Sequence, residues 1–198
     1  MRRRRLFLSI ALSVGLLLMS GCSIITSSPS ATTAPSEMAG EGVDLTDLEL
    51  TSEAFGPQEA IPQRFTCDGE DISPPLSWSA PPEGTRSFVL IVDDPDTPVG
   101  TWVHWVLFNI PADRRTLPEN VPAQDQLSDG SLHGNNSWRR SDYGGPCPPS
   151  GSTHRYVFNL YAIDTQLDLE ATATKKQVLD AVDRHVLAHG ELVGTYSR

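Results

Sequence analysis

Three apolar runs dominate the pattern of the chain: "SFVLIVDD" (residues 87–94), "WVHWVLFNI" (102–110) and "HRYVFNLYAI" (154–163). Continuous runs of this length, bounded by turn residues, predict strands covered on both faces. Weaker patterns flank them. "DLELTSEAF" (47–55) alternates and predicts a first strand, and "RFTCDG" (64–69) predicts a short strand entering a turn. The two prolines of "SPPLSW" (73–78) confine that segment to an edge or a loop leading into residues 76–78. Residues 112–153 are polar and rich in Gly, Pro, Asn and Ser. A patternless stretch of this length inside a folded domain points to function. One helix is predicted. Thr174 and Gln177 form a capping box, Val178, Val182 and Val186 recur at i+4 with Leu179 and Ala181 beside them, and Gly190 supplies the stop. "ELVGTYSR" (191–198) then reads as a final short strand. Many strands, one good helix and no regular strand–helix alternation predict a mainly β, antiparallel architecture with helical decoration. No internal repeat and no second domain is expected.

The amino terminus falls outside this pattern. "MRRRRLFLSIALSVGLLLMSGC" has a basic start, an apolar centre and a small-residue end, which is an export signal rather than a membrane span. Ser20-Gly21-Cys22 resembles a bacterial lipobox, with Met19 where leucine is usual. The resemblance implies cleavage before Cys22 and lipid on its sulfur, and two or more acyl chains make such anchoring stable. An ordinary secretory signal with an incidental cysteine is the alternative. Arg4-Arg5-Leu6-Phe7-Leu8 also resembles a twin-arginine export motif. The following Ser, Thr, Ala, Pro and Gly residues predict a tether that cannot pack. The expected organisation is a lipoprotein signal peptide (1–21), a flexible tether (22–46) and one folded domain (47–198), exported and lipid-anchored to a membrane of the bacterial cell envelope.

Charge narrows the partners. The chain carries 15 basic and 25 acidic residues, a formal net charge of -10. Loss of the signal removes four arginines and no acid, so the exported part is more acidic still. That excludes nucleic acid, which needs clustered Lys and Arg. It also argues against electrostatic docking on anionic lipid head groups.

Three segments carry candidate chemistry. In "DDPDTP" (93–98), Asp94 and Asp96 flank Pro95 and are fixed but splayed to different sides. Neighbouring carboxylates can split their pKa values and serve as acid and base, whereas an Asp-Pro turn is the plainer reading. His104 interrupts an apolar run, as a hydrogen-bonded core residue or as a ligand-facing group. "YGGPCPPSGSTHRY" (143–156) is a Gly/Pro loop that can present N–H groups as an anion nest. It delivers His154 to a strand start with Tyr156 on the same face. Together these form a small polar pocket in an apolar wall, from which Trp102 and Trp105 would help exclude water.

These motifs, with "FTCDGEDISPPLSWSAPPEGTRSFVLIVDDPD" and "ELVGTYSR", resemble the phosphatidylethanolamine-binding protein family, in its bacterial Raf-kinase-inhibitor-like branch, over roughly residues 47–198. The resemblance implies an antiparallel β-sandwich with a few peripheral helices, one of them near the C-terminus. It also implies a pocket for small anions such as phosphate or a phosphorylated head group, with Asp94, His104, His154 and Tyr156 as ligand-binding residues and Gly145 and Pro146 as walls. No cofactor or metal is implied. A metal held by Asp94, His104 and His154, and a hydrolase using Ser150 or Ser152 beside His154, are competing constellations without the usual motif spacing. Cys67 and Cys147 remain after the lipid cysteine, either as a disulfide favoured by export or as two free thiols. The expected function is an envelope-anchored binding protein for an anionic or phosphorylated ligand, possible inhibition or regulation of an unidentified protein partner included. An ester or phosphoester hydrolase built on the Asp/His/His pocket is the alternative.

Overall fold

The three apolar runs become the middle of a six-stranded sheet. The computed structural model describes residues 46–198; the expected signal peptide, the lipidated Cys22 and the tether as far as residue 45 lie outside the described residues. In chain order the strands are β1 (Thr46–Asp47), β2 (Leu50–Thr51), β3 (Leu76–Trp78), β4 (Ser87–Asp94), β5 (Trp102–Pro111), β6 (Thr116–Leu117), β7 (Leu132–His133), β8 (Thr153–Ile163) and β9 (Val186–Ser197). The large sheet has the order β1-β9-β8-β4-β5-β7, and a small sheet has the order β2-β3-β6. All pairings are antiparallel except the short contact of β1 with β9.

All eight residues of β4 are buried, which explains its unbroken apolar run. Phe88, Leu90 and Val92 join Trp105, Leu107, Phe158 and Leu160 in a core shared with Leu50, Leu76, Trp78 and Leu117 of the small sheet. Val89 and Ile91 face the other way, onto Val178 and Val182 of helix α1 (Lys175–Val182). The large sheet is thus packed between the small sheet and the helix. Each large apolar side chain moved out of water there contributes roughly 1.5–3 kcal/mol.

Several local expectations change. "DLELTSEAF" does not form one strand; it is split between β1 and β2, which belong to different sheets. "RFTCDG" is a 3-10 turn at Gln63–Phe65 followed by a tight loop, because Pro62 opens a turn that Thr66 closes by donating to the Gln63 carbonyl. The helix has its expected capping box at Thr174 and Gln177 but ends at Val182. Arg184 there takes a left-handed conformation (φ 68°), and the chain turns into β9. Val186 still packs on the same core as Val178 and Val182, but from a strand, so its i+4 spacing was coincidental with the helix. Gly190 is no helix stop: a methyl group there would lie 2.4 Å from the Leu48 carbonyl, so the glycine admits the β1–β2 connection against β9. The final strand accordingly has 12 residues.

Candidate functional site

The strand β5 places His104 by an irregularity. Val92 pairs with Trp105, but Asp93 pairs with Val103, so His104 is an extra residue in the ladder, a β-bulge. Bulges re-aim side chains, and here the His104 ring meets the Tyr156 ring edge to face at 5.1 Å. The loop before β8 clamps it. The Gly144 N–H donates to the His104 carbonyl at 3.0 Å, and His104 Nδ1 lies 2.7 Å from the Gly144 carbonyl. That carbonyl can only accept, so Nδ1 carries the proton. Burial disfavours the charged ring and lowers its pKa, against the opposing pull of the Gly144 carbonyl and Asp94.

Asp94 ends β4 on the face that carries Phe88, Leu90 and Val92. Its Oδ1 accepts from the Asp96 N–H at 2.8 Å. Its Oδ2 lies 2.7 Å from His154 Nδ1, which donates to it. Both side chains are buried. Asp96 points away and takes Arg155 in a fork, with distances of 2.6 and 3.0 Å. The guanidinium holds the Asp96 carboxyl at about 2. The two aspartates are therefore splayed as the sequence suggested, but they do not work as a pair. Asp96 orients Arg155, and Asp94 holds His154. Asp93 lies on the opposite face, paired with Lys175 at 2.6 Å.

Asp94, His104 and His154 line one cavity of about 320 Å³, with Trp102, Trp138 and Pro149 among its walls. Tyr156 is buried behind His104, and its hydroxyl has no hydrogen-bond partner among the described residues. Burial, and then the Asp94 charge, raise its pKa well above the usual tyrosine value, so it remains a neutral donor. Gly145 and Pro146 stand behind the wall rather than on it. The Gly145 N–H donates to Asp71 Oδ1 at 2.7 Å, and the Pro146 carbonyl accepts from the Cys67 N–H at 3.1 Å. The expected anion nest is thus spent internally at Gly144 and Gly145. Cys147 and Pro149 face the cavity instead.

Cys67 and Cys147 are bonded to each other, with Cα atoms 5.5 Å apart. The bridge ties the loop after the 3-10 turn to the cavity wall. Trp105 is not at the cavity: it is fully buried between Tyr143 and His133. Its place is taken by Trp138, edge to face with both Trp102 and His104. Trp138 was the one overlooked wall with a signal, a lone tryptophan in a polar segment. Ser152 donates to the Pro149 carbonyl and makes no bond to His154. Among the described residues, no three His, Cys, Asp or Glu side chains are grouped to hold a metal ion.

Comparison with known proteins places the fold. The profile of the family described as phosphatidylethanolamine-binding protein matches residues 51–197. A UPF0098 protein of Methanothermobacter thermautotrophicus is 53% identical over 151 residues, covering 76% of this chain and 99% of the relative. The crystal structure of a phosphatidylethanolamine-binding protein homolog from Chlamydia trachomatis superposes with a TM-score of 0.71 at 40% identity, covering 77% of this chain and 99% of that one. YbcL of E. coli, described as a member of the mammalian family, gives a TM-score of 0.72 at 31% identity, again over 77% of this chain and 99% of that one.

Proposed function

This chain belongs to the phosphatidylethanolamine-binding protein family, and we propose that its Asp94–His104–His154 cavity holds a small phosphorylated or otherwise anionic ligand at the bacterial envelope. The observation that carries the reading is the convergence of unspent polar groups in an apolar wall. His104 and His154 each have one ring nitrogen tied to the protein and a second nitrogen without a partner among the described residues. The Tyr156 hydroxyl has no partner either. His154 gives Nδ1 to Asp94, which leaves Nε2 as the free ring nitrogen of a side chain that lines the cavity. Buried polar groups without partners cost stability, and a ligand in the cavity would give partners to the two free ring nitrogens. The lipobox resemblance at Cys22 supports anchoring of the domain to a membrane from residues upstream of β1.

The test is thermal unfolding with inorganic phosphate or phosphoethanolamine. Ligand at a hundredfold excess over its Kd stabilises by about 2.7 kcal/mol, which for a domain of this size raises Tm by roughly 5–10 °C. His154→Asn can keep a hydrogen bond to Asp94 while losing the second ring nitrogen, and it should abolish the shift. A wild-type Tm unmoved by millimolar amounts of either compound would sink the reading.

A further inference from the structure

We infer that His104 makes this site select oxyanions that still carry a proton, phosphate and phosphomonoesters, over sulfate and phosphodiesters. The inference rests on the anion-binding reading above and adds the ligand's chemical class to it. A neutral imidazole has one N–H and one lone pair. The Gly144 carbonyl, 2.7 Å from Nδ1, claims the N–H. The free nitrogen, Nε2, is then an acceptor. Any ligand atom set against it must bring a hydrogen.

The groups around the ring favour that state. Burial disfavours the imidazolium, and the facing charges do not offset it. Those charges are Asp94 at the end of β4 and Asp71 in the loop before β3. From β8 come Tyr156, packed on the ring, and His154, ion-paired with Asp94 when protonated. Arg140 lies beyond Trp138, over its ring at 5.6 Å. His154 lines the same cavity, with its Nδ1 given to Asp94. An anionic ligand must therefore bring a hydrogen to His104 while remaining an acceptor elsewhere.

A phosphate oxygen that retains its proton meets this demand. Inorganic phosphate keeps at least one P–OH near neutral pH. A phosphomonoester, with a second pKa near 6, takes up a proton on binding. Sulfate and phosphodiesters have no O–H at neutral pH and would set a lone pair against the His104 lone pair. An unsatisfied buried acceptor costs about 1–3 kcal/mol, so the discrimination expected is roughly 10- to 100-fold.

Isothermal titration calorimetry at pH 7, in phosphate-free buffer, with inorganic phosphate, sulfate, dimethyl phosphate and glycerophosphoethanolamine tests this. The expected result is phosphate binding at least tenfold tighter than the other three. Sulfate or dimethyl phosphate binding as tightly as phosphate would overturn the role of His104 while leaving an anion site. Glycerophosphoethanolamine matching phosphate would mean that an ammonium group supplies the donor, and would overturn the monoester class. Failure of every ligand to bind would overturn the anion-binding reading itself. His104→Gln, which can donate from its amide, should bring the phosphate-to-sulfate ratio toward one; an unchanged ratio counts against the inference. If that variant does not fold, ring nitrogen NMR of the wild type still decides, because a neutral tautomer with its proton on Nε2 is incompatible with the selection proposed.

Discussion

His104 and His133 are buried rings that the fold keeps from charging, in both cases chiefly through burial. His133 also lies 2.6 Å from the Gln124 carbonyl and stacks on Trp105. Their folded pKa values lie below the ordinary histidine value of 6.5. The unfolded chain therefore binds protons first as the pH drops, and stability that is complete above 6.5 is lost progressively below it. Asp96, held at about 2 against an ordinary 3.8, adds a second limb. Its contribution is complete above 3.8 and disappears as the pH falls through 2. Thermal unfolding in phosphate-free buffer between pH 8 and pH 2 should show both limbs, with His133→Gln flattening the first and Asp96→Asn the second. A Tm that is level from pH 7 to pH 5 would contradict the first. At this scale the sequence exposed the identity of the site residues but not their geometry. His104 stood out as a polar residue in an apolar run, whereas the bulge that turns its ring toward Tyr156 depends on pairing with β4 and left no local mark. Asp94 and Asp96 looked equivalent until Arg155, far along the chain, distinguished them.

Among the elements, the long buried strands were legible because a run of mostly apolar residues has few other ways to leave water. The short ones were not. β1 and β2 are two-residue pairings whose existence depends on β9 and β3, and a local pattern cannot show a distant partner. The helix was overextended for a related reason: Val186 reaches the helix-side core from a strand, so burial periodicity continued across a change of element. The Gly/Pro loop was recognised as part of the site, but its role is support. Gly145 illustrates this. A methyl group there would sit 2.6 Å from both Asp71 Oδ1 and the Phe65 carbonyl. Gly145→Ala should cost about 1–3 kcal/mol, as overpacking does. It should also weaken phosphate binding by loosening the clamp on His104. Urea unfolding and calorimetry would read the two effects; a variant with unchanged stability would show that the loop yields there without consequence.

For the molecule as a whole, the Cys67–Cys147 bridge closes a loop spanning 80 residues, which includes β3, β4, β5 and the cavity wall. The sequence left the two cysteines open between bonded and free; only their placement on facing loops decides it. In the chain-entropy account a loop of that size stabilises by about 4.5 kcal/mol. Replacing both cysteines by serine should lower the unfolding free energy by roughly 2–5 kcal/mol in denaturant titration, and a loss below 1 kcal/mol would show that the surrounding hydrogen bonds already confine the loop. The path of β9 has a separate consequence. Its start is paired with β1, Thr46 lying opposite Ala188, while its end lies beside the cavity, with Tyr196 opposite His154. Arg198 reaches Asp68 and Cys147 at the rim. At about 3.3 Å per residue, the place where the described chain enters β1 is roughly 26 Å along the sheet from the cavity end. A dye attached at Thr46 itself therefore leaves the mouth clear, whereas the same group attached at Arg198 would sit on its doorstep.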